Sequence, residues 1–459
     1  MSDLPANWIE TEIGNLCSLK NGRAFKPTEW QTSGLPIVRI QNLNNPAAKY
    51  NYFQGDVDER NRLCGGELLF AWSGTPGTSF GAHVWRGGEA VLNQHIFRVD
   101  FDEALLDKRF FRSAINQKLS ELIDVAHGGV GLRHVTKGVF EKTLVALPLR
   151  PEQTRIANQL DTLLTRIQSC NDRFDAIPAL LKRFRQTVLD AAIKGNLIEV
   201  QHEGGDNRSS SVAFQDLCLE QKHSFGIGPF GSDLKVADYR RSGVPLIFVR
   251  DIRAQNFGGA GTKFVSLEKA QLLMAHTVLP GDLIVTKMGD PPGDVAIYPN
   301  DRPPAVMTAD VVRMRVNPEV ANAQYIGYWF QSLVGKQLVS TITAGVAQRK
   351  ISLARLRTIR IALPTTTEQA EIVSRVEALF TLAARIEARA TAARTHAKRL
   401  SPLVLAKAFR GELVPQNAQH EPAIDLLKRL ATAGTQTPQK TNAKAAVRAS
   451  RKVKSRDEA

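Results

Sequence analysis

An internal repeat constrains the fold of this 459-residue chain more than any other feature. Residues 147–198 align without a gap with residues 363–414 at a constant offset of 216, and 16 of the 52 aligned positions are identical. The identities include a Leu-Pro pair, a Glu-Gln pair and a glycine that closes each segment. A helix-forming composition alone would not place these features in one register, so the pattern indicates duplication.

The segments before these blocks repeat more faintly. Both copies contain glycine turns that enter predicted strands, and later glycine turns followed by a basic residue. The matched pairs begin at Gly34 and Gly243 (with one inserted residue), at Gly66 and Gly281, and at Gly129 and Gly345. The sequence therefore predicts an α+β fold in which a strand-rich domain followed by a long helix occurs twice.

Domain boundaries follow from the repeat and from changes in composition. The last twenty residues carry seven Lys or Arg against two acids, and the end of the chain has no apolar periodicity, so we expect a disordered basic tail. The predicted parts are a first domain (1–148), a first helical region (149–198), a linker (199–212), a second domain (213–363), a second helical region (364–414) and the tail (415–459).

Both helical regions carry apolar residues at alternating steps of four and three, which is a heptad seam. Small residues in the second seam match large ones in the first, which would let two helices pack closely. We therefore predict that the helices pair antiparallel as a coiled coil. Alternatively, each helix packs against its own domain, or the seam binds another chain. Pro178 and Pro402 predict local kinks or breaks. The seam residues are Ile156, Leu160, Leu163, Ile167, Phe174, Ile372, Val376, Leu379, Ile386 and Leu400.

A helix from Glu152 to Ile177 would be about 40 Å long at about 1.5 Å per residue, close to one DNA turn of about 34 Å. If the helices separate two DNA readers, one heptad inserted near the middle of a seam should change the spacer between the half-sites and leave both half-sites intact. Mapping the recognised sequence before and after the insertion tests this. Altered half-site bases would contradict it.

Bulk composition limits the class of protein. The formal net charge of +15 and pI of about 9.7 favour a polyanionic partner. No apolar run approaches the roughly 18 residues of a membrane span, and the start of the chain lacks the pattern of a secretory signal, so a cytoplasmic location is expected. The four cysteines lie far apart and encode neither a disulfide framework nor a zinc cluster.

Several features together resemble the specificity subunit of type I restriction–modification systems. They are the opening Leu4-Pro-x-x-Trp8, the motif Gly228-Pro-Phe-Gly-Ser-Asp-Leu-Lys, the Glu-Gln pair before each helix and the glycine at each helix end. The resemblance covers about residues 1 to 414, and the first domain departs from it by having Gly22-Arg-Ala-Phe-Lys in place of Gly-Pro-Phe-Gly-Ser. The two domains need not read the same bases.

The resemblance implies two target-recognition domains that contact the halves of an asymmetric, interrupted sequence in double-stranded DNA. It implies two modification subunits that methylate adenine with S-adenosylmethionine, and restriction subunits that use ATP and magnesium for translocation and cleavage. This chain would bind no cofactor or metal and would contain no catalytic site. It would direct the other subunits to their target.

Two other functions remain as alternatives: a stand-alone DNA methyltransferase or nuclease, and a coiled-coil adaptor that does not contact DNA. Residues 226–231 match a dinucleotide-binding fingerprint only formally, because Pro229 interrupts it and no apolar helix follows. Asp290-Pro-Pro-Gly has glycine where a methyltransferase loop would place an aromatic ring on a flipped base. Neither a phosphate-binding loop nor a nuclease signature supports an enzyme.

Candidate DNA contacts are basic residues near glycine turns and predicted strand ends. Arginine can pair with guanine edges and lysine more often binds phosphate, although a solvated surface charge is the ordinary role of such residues. Arg39 and Arg250 are predicted to close equivalent strands. The full set is Lys20, Arg23, Lys26, Arg39, Arg133, Lys235, Arg250, Lys287, Arg349 and Lys350.

Overall fold

The computed structural model divides the chain into two compact units. Unit 1 comprises residues 1–172 and 394–459, and unit 2 comprises residues 173–393. Each unit therefore contains one strand-rich domain and parts of both long helices. The residues described are 4–45, 47–74, 80–124, 133–198, 210–345, 349–416 and 423–434.

The first domain is built from short strands and short helices. Its strands are β1 (Ile9–Glu12), β2 (Ser18–Asn21), β3 (Leu35–Val38), β4 (Asn51–Phe53), β5 (Arg62–Leu63), β6 (Leu68–Ala71), β7 (Ser73–Gly74), β8 (Gly81–Val84), β9 (Ala90–Leu92), β10 (Ile96–Asp100), β11 (Arg133–His134) and β12 (Leu144–Leu147). Its helices are α1 (Ile40–Asn44), α2 (Lys108–Gln117), α3 (Leu119–Asp124) and α4 (Lys137–Lys142), and the long helix α5 (Arg150–Ile193) follows.

The second domain repeats this order. Its strands are β13 (Ser210–Ala213), β14 (Phe225–Ile227), β15 (Val244–Ile247), β16 (Phe264–Val265), β17 (Thr277–Val278), β18 (Leu283–Thr286), β19 (Val295–Ile297), β20 (Ala305–Met307), β21 (Val311–Met314), β22 (Thr343–Ala344), β23 (Lys350–Ile351) and β24 (Arg360–Leu363). Its short helices are α6 (Val249–Ala254), α7 (Leu267–Leu272), α8 (Ala323–Gln331), α9 (Leu333–Thr341) and α10 (Leu353–Thr358), and the long helix α11 (Thr366–Phe409) follows. The last helix, α12 (Ile424–Gly434), belongs to unit 1.

Sheet topology confirms the internal repeat that the sequence predicts. The first domain has four-stranded sheets β2-β10-β6-β8 and β4-β3-β9-β5, and the second has β14-β21-β18-β19 and β16-β15-β20-β17 in the corresponding order. In both domains the first strand pairs antiparallel with the last one before the long helix. The α+β class and the duplicated domain are therefore both present.

The two long helices pack antiparallel in each unit. In unit 1, Ile156 and Leu160 near the start of α5 share a core with Phe409 at the end of α11. In unit 2, Val188 near the end of α5 shares a core with Ile372 near the start of α11. Each helix ends before a glycine with φ of +75°, Gly195 or Gly411, a conformation that glycine adopts without steric cost.

Burial along the predicted seam is uneven. Ile156, Leu160, Ile167, Ile372 and Val376 are buried, whereas the members Leu163, Phe174 and Leu379 are half-buried. Two members depart from the prediction: 42% of Ile386 and 46% of Leu400 remain exposed. Alanines of α11 such as Ala383 and Ala397 are the buried positions nearest to them in sequence.

The Glu-Gln pair fixes each long helix to its own domain. The buried Gln153 side chain accepts a hydrogen bond from the Asp107 backbone N–H (2.8 Å) and donates to the Pro148 carbonyl (2.9 Å). Gln369 accepts from the Asn322 N–H (2.7 Å) and donates to the Pro364 carbonyl (2.8 Å). One glutamine thus joins a short helix, α2 or α8, to the start of a long one.

Replacing Gln153 by leucine should lower the free energy of unfolding by about 1–3 kcal/mol, because the buried Asp107 N–H would lose its acceptor. Chemical denaturation of the purified chain measures the change. Gln159→Leu on the same helix is the matched control, because Gln159 is exposed and a surface change should stay within about 0.5 kcal/mol. Equal effects of the two substitutions would contradict this role for Gln153.

Three expectations differ from the structure. The basic tail is not wholly without order, because α12 places Leu426 in the core of unit 1 and the Ala423 N–H donates to the Asn7 carbonyl (3.2 Å). The predicted linker 199–212 overlaps β13, and residues 199–209 lie outside the described residues. Of the kinks or breaks predicted at the two prolines, a break is excluded, since α5 runs through Pro178 and α11 through Pro402.

Among the described residues, no helix is both long enough and apolar enough to span a membrane.

Candidate nucleic-acid interface

The same backbone junction occurs in both domains. In the second, Lys287 follows β18, its N–H donates to the Asp310 carbonyl (2.7 Å), and its own carbonyl accepts from Ile351 (2.9 Å). In the first, Trp72 follows β6, its N–H donates to the His95 carbonyl (3.3 Å), and its carbonyl accepts from Val135 (2.9 Å). Each site joins three segments of the chain. We call the site around Trp72 the first junction and the site around Lys287 the second junction.

The second junction brings together three of the predicted DNA contacts. Lys350 is bridged to Met288, and the Gly289 N–H donates to the carbonyl of Arg349 (3.3 Å), so Lys287, Arg349 and Lys350 lie on adjoining segments. Arg349 reaches the exposed carboxylate of Asp290 at 3.7 Å. Within the described part of the chain, the Lys287 and Lys350 ammonium groups form no ion pair, so they are available to an anionic ligand.

Arg253 adds a further cation beside the second junction. Its guanidinium forms an ion pair with Asp294 (2.7 Å) and donates to the Pro291 carbonyl (3.2 Å), which ties α6 to the loop after β18. About 43% of both side chains in this pair is exposed. Arg253 was not predicted from the sequence, because its partners lie about forty residues away.

The first junction is aromatic instead of cationic. The rings of His95 and His134 lie 5.5 and 5.8 Å from that of Trp72. The Trp72 indole nitrogen and the Nδ1 atoms of both histidines are buried without a hydrogen-bond partner. Burial, with smaller contributions from His134 and Arg39, lowers the pKa of His95. A neutral imidazole can donate one hydrogen bond and accept another, so this junction offers different chemistry from the second.

Two of the basic residues predicted to contact DNA in the first domain form ion pairs with carboxylates of the same domain. Lys20 forms an ion pair with Asp100 (2.6 Å), and Arg23 forms one with Glu29. The Arg23 guanidinium also lies over the Phe53 ring, 4.7 Å from its centroid. These pairs reduce the charge that the two residues offer to DNA.

Only some of the predicted cations occupy equivalent positions. The backbone N–H groups of Lys26 and Lys235 make the same capping interaction, donating to the carboxylates of Glu29 (2.8 Å) and Asp238 (2.7 Å) respectively. Both lysine side chains are exposed. Arg133 and Arg349 immediately precede the equivalent positions His134 and Lys350 at the junctions; the placement of the Arg133 side chain lies outside the described residues.

Arg39 and Arg250 are not equivalent, contrary to the sequence-based prediction. Arg39 caps α1, and the residue that caps α6 in the same way is Phe248, whose N–H donates to Asp251 as that of Arg39 donates to Asn42. Arg250 lies two residues later, over the Phe248 ring and donating to the Gly261 carbonyl (3.0 Å). The two segments keep a constant offset of 209 from Gly34 and Gly243 to Arg39 and Phe248, so no residue is inserted before these caps.

The loops that begin at Gly22 and Gly228 differ in sequence, but both need glycine at the first position because another backbone segment lies close to it. A Cβ atom on Gly22 would lie 2.2 Å from the Asn93 carbonyl oxygen, and one on Gly228 would lie 2.0 Å from that of Thr308. The loops diverge directly afterwards, and Phe230 is 66% exposed. The fold thus fixes the start of each loop and leaves the following side chains free to differ.

Comparison with known proteins identifies the family. The family model described as "Type I restriction modification DNA specificity domain" matches residues 5–178 and 260–393. The chain therefore belongs to the type I restriction–modification DNA specificity family.

Similar proteins extend the match over almost the whole chain. The specificity subunit of the type I restriction enzyme EcoBI from Escherichia coli is 28% identical over 430 residues, which cover 89% of this chain and 87% of that protein. That of EcoKI from Escherichia coli (strain K12) is 26% identical, with 90% of each chain covered. The crystal structure of the HsdS subunit from Thermoanaerobacter tengcongensis has the same fold, with a TM-score of 0.58, 16% identity and coverage of 89% and 98%.

Proposed function

We propose that this chain is the DNA-reading subunit of a type I restriction–modification system and recognises a bipartite, asymmetric target in double-stranded DNA. Each strand-rich domain reads one half-site. Family membership and the duplicated domain support this function. Similar proteins are named as specificity subunits of type I restriction enzymes, which agrees with this function.

The difference between the two junctions is the observation that carries the asymmetry. Lys287 and Lys350 stand where Trp72 and His134 stand in the first domain. Cationic side chains bind phosphate and guanine edges, whereas an indole N–H donates a hydrogen bond and carries no charge, and an imidazole ring presents two nitrogens on one flat ring. Two copies of one fold with unlike side chains at one site would read unlike half-sites. The target is then asymmetric.

Catalysis is assigned to partner subunits. Two modification subunits would use S-adenosylmethionine to methylate adenine, and restriction subunits would use ATP and magnesium. We place the assembly in the cytoplasm, where the host DNA is accessible to it.

Footprinting of the purified chain with its modification subunit tests the proposal. We expect two protected clusters about one helical turn apart, with binding that weakens steeply as salt rises. Methylation mapping of host DNA should then give one asymmetric, interrupted motif. A single protected cluster would contradict two readers. Turnover of DNA by this chain alone, with S-adenosylmethionine, ATP and magnesium, would contradict the scaffold role.

A further inference from the structure

A groove of about 710 Å³ lies in unit 1 between the first domain and the long helices. Its walls come from the end of β8, from α2 and from one residue of each long helix, Leu164 on α5 and Leu405 on α11. Leu43, Tyr50 and Trp85 add further apolar lining. The volume falls within the roughly 300–1,000 Å³ of typical binding sites.

The repeat shows what would fill this space. Gln153 and Gln369 bind the residues that cap α2 and α8, so Ser113 of α2 corresponds to Tyr328 of α8. The constant offset along the long helices pairs Leu164 with Phe380. In unit 2 the Tyr328 ring is 4% exposed and packs edge-on against Phe380, with the ring centroids 6.0 Å apart. Smaller side chains at both positions leave the groove in unit 1.

The groove also carries a polar group that has no partner. His83 lines it, and its Nε2 atom is buried without a hydrogen bond. His83 pairs with Leu69 of β6, and the residue in the same register of the second domain, opposite Ile284 of β18, is Ala296. Burial, and to a smaller extent Arg112, lowers the pKa of His83. A neutral imidazole here is ready to exchange a hydrogen bond with a ligand.

Charge around the groove is positive. Arg112 lines it and shares the single carboxylate of Asp161 (3.3 Å) with Arg109 (3.2 Å). Arg86, also in the lining, is exposed. A ligand with a carboxylate next to apolar side chains is complementary to this combination. The chain's own C-terminal segment does not fit, because residues 440–459 carry seven cations and two acids.

We propose that the groove receives an apolar segment with a carboxylate from a modification subunit, and that the corresponding surface of unit 2, closed by Tyr328 and Phe380, binds the second modification subunit without such an insertion. This rests on the proposed function. The two modification subunits would then be held unequally, although the surfaces that hold them derive from one duplicated unit.

The test fills the groove of unit 1 with the larger side chains that stand at the corresponding positions of unit 2. In the double variant Ser113→Tyr, Leu164→Phe, one of two modification subunits should bind at least tenfold more weakly, measured by mass photometry and titration of the purified subunits. Arg86→Glu changes only an exposed charge and should weaken the same subunit at least threefold. Arg389→Glu, an exposed position on α11 in unit 2, is the matched control and should leave both affinities unchanged.

Outcomes separate this inference from the proposed function. Wild-type chain that binds no modification subunit would refute the proposed function itself. Full retention of both subunits by the filled variant and by Arg86→Glu, with wild-type melting behaviour, would overturn the inference. It would also be overturned if filling the groove weakened DNA binding of this chain alone, or dissolved a homodimer, because the occupant would then be DNA or a second copy.

Discussion

Replacing Lys287, Arg349 and Lys350 together by alanine should weaken binding to the full target at least 100-fold and remove protection of one half-site only. The three residues lie on adjoining segments at the second junction. Hydrogen bonds to charged groups contribute about 1.5–3 kcal/mol each, and about 1.4 kcal/mol corresponds to a tenfold change in affinity. The loss of two effective contacts already accounts for the expected 100-fold.

Salt dependence and footprinting distinguish specific contact from loss of net charge. Each phosphate contact removed should reduce the magnitude of the negative slope of log affinity against log salt by about 0.9. The matched control replaces Lys182, Arg183 and Arg389, three exposed cations of the long helices in the same unit, by alanine. If the control weakened binding as strongly, or if the junction variant lost protection at both half-sites, the junction would not be the reader of a single half-site.

Much of the scaffold could be predicted from the sequence, because its signals are periodic or repeated. The matched Glu-Gln pairs identified the starts of α5 and α11, and Gln153 and Gln369 prove to be the buried links to the domains. Glycine identified both helix ends through a conformation that few other residues adopt. These helix starts and ends depend on local backbone geometry, which restricts the residue type and can therefore be predicted from a single sequence.

The candidate interface was predictable only in part. Lys287, Arg349 and Lys350 are recognisable because they follow matched glycine turns or strands. The matched turns at Gly66 and Gly281 already align Trp72 with Lys287, but Trp72 was not selected because it carries no charge. His95 was missed, since its equivalence to Asp310 lies in hydrogen bonds between segments distant in sequence. The exposed seam residue Ile386 shows the same limit, because the heptad pattern does not say where a helix pair meets solvent.

The duplication therefore constrains the backbone more than the side chains. Corresponding strands, sheet orders and helix anchors are kept in both copies. The side chains differ at the junctions and at the groove, where Ser113 and Leu164 correspond to Tyr328 and Phe380. These are sites at which each copy would meet a different ligand. The repeat would supply one frame for two half-sites and for two unequal contacts with partner subunits.

Asp282→Ala should destabilise the second domain by about 3–5 kcal/mol, because it would leave the charge of Arg315 without its buried partner. Asp282 is 2% exposed, and both of its oxygens accept hydrogen bonds from the Arg315 guanidinium at 2.8 Å. It also accepts from the Leu279 N–H (2.7 Å) at the turn that enters β18. The pair thus fixes β18 to β21, the strands that lead into the second junction.

Hydrogen exchange can locate this loss within the chain, because amide protection reports local and domain-level opening separately. Amides of β18 and β21 should lose protection equivalent to about 3–5 kcal/mol, whereas those of β6 and β10 in unit 1 should keep theirs. Asp301→Ala is the matched control, since the Asp301 side chain is 77% exposed and its nearest Arg302 nitrogen is 3.8 Å away, a contact expected to contribute less than about 1 kcal/mol. Unchanged exchange in β18 would show that packing alone holds the strand. Loss of protection confined to unit 2 would show that the first domain stays folded in the Asp282→Ala variant. Such a variant should still read one half-site, whereas a chain unfolded in both units should read neither.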